Sequence, residues 1–145
     1  MMKEKKRNNL RMITRNEPYV VKVFIEDTDV GGLVYHANYL KYLERARSTL
    51  LYHKGITHAQ LRENKKLMFV LKSCNIVYEK PAYLEDELFI YTEPGILSGA
   101  CLKMKQSIVR GQDLLVKADM VLVCVTLEGK PVRVPAFIAS ALNIG

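Results

Sequence analysis

Two carboxylates, Asp27 and Asp29, stand immediately before a pair of glycines, Gly31 and Gly32. Glycine accepts positive φ without steric cost, so the pair predicts a tight turn after an apolar, strand-like run. The patterned segment that begins near His36 predicts a helix, whose N-terminus carries unpaired N–H groups and partial positive charge. A carboxylate beside such a terminus can attack a carbonyl carbon while the N–H groups stabilise the oxyanion. The same residues also fit a strand–turn–helix corner with solvated acids, so the pattern alone leaves both interpretations open.

The rest of the chain predicts the elements that hold this corner. Apolar residues recur at three- and four-residue steps through His36–His53, as on one face of an amphipathic helix, with Asn38 as a candidate cap. Stretches rich in β-branched and aromatic residues predict strands. These strands are Tyr19–Ile25, Met68–Tyr78, Leu88–Thr92, Cys101–Val109 and Leu114–Leu127, with a short helix in His58–Asn64 and a terminal helix in Pro135–Leu142. Pro94 and Gly95 are expected to end the third strand.

This element order, β-α-β-β-β-β, indicates the α+β class. Strands that follow one another directly favour an antiparallel five-stranded sheet, and one long helix would lie across one of its faces. The length of 145 residues fits one domain, and 49% hydrophobic residues suffice for a packed core. No internal repeat or second domain is evident.

Composition also excludes several classes of protein. No apolar run reaches the ~20 residues that span a bilayer, and the first residues lack the apolar region of a secretory signal. A cytoplasmic protein without an integral membrane segment is therefore expected. Cys74, Cys101 and Cys124 are far apart and form no CxxC, which supports neither a disulfide framework nor a zinc site. Buried free thiols are expected, and no metal or other cofactor is predicted.

Much of the net charge of +7 lies near the N-terminus. The basic residues there are Lys3, Lys5, Lys6, Arg7, Arg11 and Arg15, against a single Glu4. We expect residues 1–18 to form a mobile, solvated tail and residues 19–145 to form the folded domain. Charge alone is a weak sign of nucleic-acid binding, and no binding motif accompanies it, so no nucleic-acid partner is expected. A basic surface does favour a polyphosphorylated ligand.

The opening motif and the element order together resemble a known family. The motif is Asp27-Thr28-Asp29-x-x-Gly32-x-Val34-Tyr35-His36-x-x-Tyr39, followed by Tyr42-Leu43-Glu44-Arg45-Ala46-Arg47. It is similar to the hotdog-fold acyl-CoA thioesterases, and in particular to the YbgC branch of the 4-hydroxybenzoyl-CoA thioesterase family. The resemblance covers the chain from Tyr19 onward. It implies a hotdog fold, in which the sheet wraps around the helix, and hydrolysis of a short-chain or aromatic acyl-CoA.

The resemblance also implies roles for individual residues. Asp29 corresponds to the catalytic carboxylate, acting as nucleophile or as general base toward water. His36 would offer a backbone N–H to the thioester carbonyl, and its imidazole would orient water or substrate. Asp27 is expected to brace the turn rather than take part in the chemistry. Glu44, although another branch of hotdog thioesterases uses a helix glutamate, is expected to pair locally with an arginine or to pack near the site.

Substrate binding and assembly follow from the same resemblance. The candidate substrate-binding residues are Gly32, Tyr35, Tyr39, Lys103 and Arg133. The two tyrosines would line an acyl pocket, although packing is the commoner role of such residues, and the two basic residues would hold the CoA phosphates. The family implies a homodimer or homotetramer with active sites between subunits. Two alternatives remain open: a thioesterase for esters of an acyl carrier protein, and a non-catalytic hotdog module that binds acyl-CoA or a protein.

Overall fold

The computed structural model describes residues 17–144 of the chain. The predicted basic tail therefore lies almost entirely outside the described residues. The strands are β1 (Tyr19–Lys22), β2 (Leu67–Tyr78), β3 (Glu87–Ser98), β4 (Cys101–Arg110) and β5 (Asp113–Thr126). The helices are α1 (Asn38–His53), α2 (His58–Gln60) and α3 (Ala136–Ala141), with a 3₁₀ turn at Ile25–Asp27 and a π-helical turn at Leu61–Lys65. No helix within the described residues is long and apolar enough to cross a membrane.

All five strands form one antiparallel sheet in the order β1-β3-β4-β5-β2. This confirms the predicted fold class and sheet. The hairpin between β4 and β5 turns through Gly111, whose φ of +58° suits glycine. The strands β1 and β2 form the two edges of the sheet.

The core lies between α1 and one face of the sheet. Tyr42, Leu43 and Ala46 on α1 are buried, and they face side chains that alternate with exposed ones along the central strands. The buried residues of β4 are Leu102, Met104, Gln106 and Ile108. The buried amide of Gln106 donates to the carbonyl oxygen of Leu43 at 2.9 Å and so ties the helix to the sheet. Burial of these faces supplies most of the driving force for the fold.

The helix is shorter than predicted. It spans 16 residues and begins at Asn38 rather than His36, so it is not the long helix that the pattern suggested. The N–H of Asn38 donates to the Tyr35 carbonyl in a turn that precedes the helix. Asn38 also does not cap the helix, because its side-chain amide donates to the carbonyl of Asp27 at 2.8 Å.

Two predicted strand ends were wrong. The third strand does not stop at Pro94 and Gly95 but continues to Ser98, with an irregularity in its pairing to β4 between Pro94 and Ile96. Such a bulge tolerates proline, and β1 pairs only with the part of β3 before this point, so no partner needs the missing N–H. β1 ends early because the chain turns at Ile25–Asp27.

β2 is an exposed edge strand. It is 12 residues long, pairs only with β5, and has no fully buried residue. Several apolar side chains along it are exposed: Val70, Leu71, Val77 and Tyr78. Cys74 is exposed on the same strand, so the expectation of buried thiols holds only for Cys124. An edge of this length and composition is a ready site for strand pairing with another chain.

Candidate active site

The turn after β1 fixes Asp29 in one orientation. Its Oδ1 accepts hydrogen bonds from the backbone N–H groups of Gly31 at 2.8 Å and Leu33 at 3.2 Å. The second oxygen, Oδ2, has no hydrogen-bond partner within the described residues, and the residue is exposed. A carboxylate held by one oxygen leaves the other free to act on a substrate.

The two glycines make this turn possible. A Cβ on Gly31 would lie 3.3 Å from Asp29 Oδ1, so a side chain there would crowd the carboxylate. Gly32 has a φ of +79°, a conformation that other residues rarely adopt. The sequence pattern therefore identified both the turn and the reason for its glycines.

Asp27 braces the corner from inside. Its Oδ2 accepts from the N–H of Phe24 at 2.9 Å, and its carbonyl accepts from the N–H of Tyr35 at 2.9 Å. The buried hydroxyl of Tyr42 faces this carboxylate but makes no hydrogen bond of acceptable geometry within the described residues. Burial, and secondly the proximity of Asp27, raise the pKa of Tyr42.

His36 lies in the turn that leads into α1. Its side chain is exposed and its ring lies 4.4 Å from that of Tyr35, between centroids. Its carbonyl accepts from the hydroxyl of Tyr78 at 3.1 Å, which ties the turn to β2. The N–H groups of His36 and Ala37 donate to no acceptor within the described residues. They are the free donors expected at a helix N-terminus.

The two candidate pocket tyrosines, Tyr39 and Tyr35, occupy different environments. The Tyr39 side chain is 3% exposed, and its hydroxyl accepts from the N–H of Ala82 at 3.0 Å. Burial raises the pKa of Tyr39. This arrangement favours the packing interpretation of Tyr39. Tyr35 is 48% exposed and stands at the surface beside His36, where a ligand can reach it.

A support loop after β2, residues 81–86, holds the acidic turn. Ala82 accepts from the N–H of Val34 at 3.0 Å, and the N–H of Leu84 donates to the carbonyl of Gly32 at 3.1 Å. Arg110 fastens this loop by donating to Asp86 Oδ2 at 2.8 Å and to the Pro81 carbonyl at 3.1 Å. Sequence reasoning missed this contribution because it depends on pairing between distant parts of the chain.

Lys103 and Arg133 are not close to Asp29 within one chain. Lys103 is exposed on the sheet face opposite α1 and lies near the Cys101 end of β4. The support loop meets the other end of that strand, at Arg110, about 23 Å away at the usual rise per residue. Arg133 lies at the same end of the sheet as Lys103. The N–H of the next residue, Val134, donates to the carbonyl of Gly99 in the turn between β3 and β4.

A second polar cluster lies farther along α1. The buried hydroxyl of Ser48 is 2.8 Å from Glu44 Oε1 and 2.9 Å from His58 Nε2. Arg47 donates to Gln106 Oε1 at 3.0 Å. Glu44 therefore contacts Ser48 rather than an arginine. Its four-residue spacing from Ser48 was a usable signal, whereas the return of His58 to the helix was not readable from sequence.

The described residues contain no group of three or more His, Cys, Asp and Glu side chains that could hold a metal ion. The corner offers an oriented carboxylate at Asp29 and, in the turn that leads into α1, free N–H donors and the exposed side chain of His36. These groups suit attack on an activated carbonyl.

Comparison with known proteins identifies the class. The model of the thioesterase-like superfamily matches residues 23–142, so the chain belongs to this superfamily, with the hotdog fold. The match makes it a hydrolase of the thioesterase class and confirms the predicted resemblance.

Individual relatives agree with this assignment. The acyl-CoA thioesterase YbgC of Haemophilus influenzae is 38% identical over 133 residues, 91% of this chain and 98% of that protein. The acyl-CoA thioester hydrolase YbgC of an Escherichia coli strain is also 38% identical, over 83% of this chain and 90% of its own length. A crystal structure of a probable thioesterase from Bartonella henselae superposes with a TM-score of 0.78 at 37% identity, covering 81% of this chain and 98% of the other.

Proposed function

We propose that the protein hydrolyses acyl-CoA thioesters and that Asp29 is its catalytic carboxylate. The observation that carries this proposal is the geometry of one side chain. Asp29 is oriented by two backbone N–H groups and keeps one oxygen free. The same corner, which the Tyr35 N–H ties to the Asp27 carbonyl, leads to the unengaged N–H groups of His36 and Ala37. The names of the YbgC relatives support acyl-CoA as the substrate class.

Two routes use these groups. In one, Asp29 removes a proton from a water molecule whose oxygen attacks the thioester carbon. In the other, the carboxylate attacks directly, and water then hydrolyses the resulting anhydride. Both routes release the free acid and CoA, and both develop negative charge on the carbonyl oxygen. The N–H groups of His36 and Ala37, with the dipole of α1, would stabilise that charge. The His36 imidazole would orient the water or the substrate.

We also propose that the enzyme is at least a homodimer, formed through β2. Two copies of this strand pairing about a two-fold axis must run antiparallel, so the Leu67 end of one lies beside the Tyr78 end of the other. The Lys103 and Arg133 end of each chain would then approach the Asp29 end of its partner. In that arrangement both residues are available to bind the CoA phosphates, which neither can do alongside Asp29 of its own chain.

The net charge of +7 favours a second candidate substrate, an ester of an acidic acyl carrier protein. Both substrates would use the same catalytic Asp29. CoA presents compact phosphates that a few basic residues can bind. A carrier protein presents an extended acidic surface, so its association would be steered by positive charge spread over a wider area of the enzyme. The two candidates therefore differ in which charges they require.

One experiment compares the candidates. Thiol release is measured for the same acyl group on CoA and on a carrier protein, with wild type, Lys103→Glu, Arg133→Glu and a chain lacking residues 1–15. We expect hydrolysis of the CoA ester, with charge reversal raising KM and leaving kcat nearly unchanged, the sign of lost uniform binding. Hydrolysis of the carrier ester alone, abolished by the truncation, would favour the second candidate. No hydrolysis of either ester would refute the proposed function.

A further inference from the structure

A small cavity lies between α1, the sheet and α3. Its walls are mostly apolar, with Leu51, Phe69, Leu102, Met104, Leu122 and Ile138 contributing. The remaining wall is polar and consists of Glu44, Arg47, Ser48 and His58. A mostly apolar cavity with a few convergent polar groups is the usual form of a small-molecule site. Nothing in the mechanism around Asp29 uses these residues.

The hydrogen bonds of the polar wall decide which atoms remain available. Ser48 has one hydroxyl proton, and an ionised Glu44 can only accept, so the proton goes to Glu44 and His58 Nε2–H donates to Ser48. With His58 as donor, the serine is not activated as a nucleophile. The second carboxylate oxygen of Glu44 has no hydrogen-bond partner within the described residues.

Arg47 is the second available group. It is partly buried, and no carboxylate lies within salt-bridge distance of it among residues 17–144. Within the part of the chain that the structure describes, Nη1 alone is engaged, by Gln106 Oε1 at 3.0 Å. Burial lowers the pKa of Arg47, an effect that the charge of Glu44 partly offsets. A guanidinium in this position gains from an oxygen ligand. Glu44 and Arg47 together can accept from and donate to a single hydroxyl group.

The volume of the cavity limits what it can hold. It measures about 90 Å³, whereas an apolar cavity that binds benzene is about 150 Å³. A short aliphatic group therefore fits, and an aromatic ring does not.

The cavity is too far from Asp29 of its own chain to receive a short acyl group from it. The axis of α1 rises about 15 Å between Asn38 and Ser48. Pairing of two β2 strands changes this relation, because the wall at Phe69 then lies near the Tyr78 end of the partner subunit. Tyr78 binds the carbonyl of His36 at the start of α1, so that end carries the partner's reactive carboxylate.

We propose that this cavity receives the acyl group of a thioester held at the Asp29 of the partner subunit, and that Arg47 and Glu44 make it selective for short aliphatic acyl groups ending in a hydroxyl. The inference rests on the proposed thioesterase function and dimer. It assigns Arg47 and Glu44 as specificity-determining residues.

The test compares 3-hydroxypropionyl-CoA, propionyl-CoA and benzoyl-CoA with wild type, Arg47→Met, Arg47→Lys and the control Arg45→Met, an exposed arginine on the same helix. Wild type should prefer the hydroxylated ester to propionyl-CoA in kcat/KM by about 10-fold or more, the scale of a hydrogen bond to a charged group. Arg47→Met should reduce this ratio to about 1, Arg47→Lys should restore part of it, and Arg45→Met should leave it unchanged. Benzoyl-CoA should be the poorest substrate.

The ratio of two substrates measured on one enzyme sample does not depend on how much of a variant folds. A wild-type enzyme that hydrolyses the esters without preferring the hydroxyl, or that prefers benzoyl-CoA, would overturn this inference and leave the thioesterase function standing. An Arg47→Met variant that loses activity equally on both aliphatic esters would also overturn it. No hydrolysis of any ester would refute the proposed function itself, and this inference with it.

Discussion

At the scale of single residues, the chemistry depends on one carboxylate that the backbone holds in position. Asp27 and Asp29 are two positions apart, but different backbone N–H groups bind their carboxylates. Asp27 accepts a hydrogen bond from Phe24 on one side of the corner. Asp29 is held by Gly31 and Leu33 and keeps a free oxygen at the surface. The sequence identified the pair of aspartates. Which of the two keeps a free carboxylate oxygen depends on these backbone contacts.

The hydroxyl of Tyr42 gives a stability prediction. It is buried without a hydrogen bond of acceptable geometry within the described residues, so Tyr42→Phe should raise the free energy of unfolding by about 1 kcal/mol at neutral pH. Denaturant unfolding measures this difference. A loss of stability instead would mean that the hydroxyl makes a useful contact with Asp27.

The same variant should change the response to alkaline pH. The pKa of Tyr42 is raised in the folded protein, so above the ordinary tyrosine value of about 10 the unfolded chain loses its proton first. Stability conferred by the neutral group is therefore lost as pH rises from about 10 toward the higher folded pKa. Tyr42→Phe should reduce the slope of unfolding free energy against pH in that range, and an unchanged slope would contradict the assignment.

At the scale of elements, the support loop connects the sheet to the active site. Arg110 at the end of β4 fastens the loop through Asp86, and the loop pairs with residues 32–34 beside Asp29. Asp86→Asn keeps the shape but removes the charge that Arg110 binds. We expect it to lower kcat by about 10-fold through displacement of the turn, because small misplacements of reacting groups are costly.

The control for this prediction is Asp113→Asn. Asp113 also lies near Arg110 but is an exposed residue paired at 2.9 Å with Lys80, which precedes the loop, and it contacts no residue of the loop itself within the described residues. Its loss should leave kcat unchanged. Equal effects of the two substitutions would show that the contact to Asp86 has no particular role in positioning Asp29.

The elements also show where sequence reasoning works. Alternation along β4 and the periodicity of α1 report directly which faces are buried, so the sheet and helix were predictable. The end of β3 was not predictable from the sequence. The strand tolerates Pro94 because its pairing with β4 is irregular at this point and because β1 pairs only with the earlier part of β3. The cluster of Glu44, Ser48 and His58 was equally hidden, since a loop and a short helix bring the histidine back to α1.

At the scale of the whole molecule, the open edge of β2 predicts assembly. Leu71 is 44% exposed near the middle of this strand, where a two-fold axis would pass. Leu71→Lys should weaken the dimer and lower activity in parallel, because it introduces a charge into a surface that becomes buried. The matched control is Ile96→Lys, an exposed apolar position on β3, three strands from β2 in the sheet.

Sedimentation at micromolar concentration, with activity measured on the same samples, checks this prediction. We expect a dimer for wild type and Ile96→Lys, and dissociation for Leu71→Lys. A wild-type chain that sediments as a monomer and still turns over its substrate would contradict both the dimer and the shared active site.

The most direct measurement for the whole account is kcat for hydrolysis of an acyl-CoA by wild type, Asp29→Asn and Asp27→Asn. The substitution keeps the size of each side chain and removes the charge. We predict that Asp29→Asn lowers kcat by about 10²-fold or more, the scale of a lost catalytic base, while Asp27→Asn has a smaller effect. Near-normal turnover by Asp29→Asn, with activity abolished in Asp27→Asn, would contradict the account.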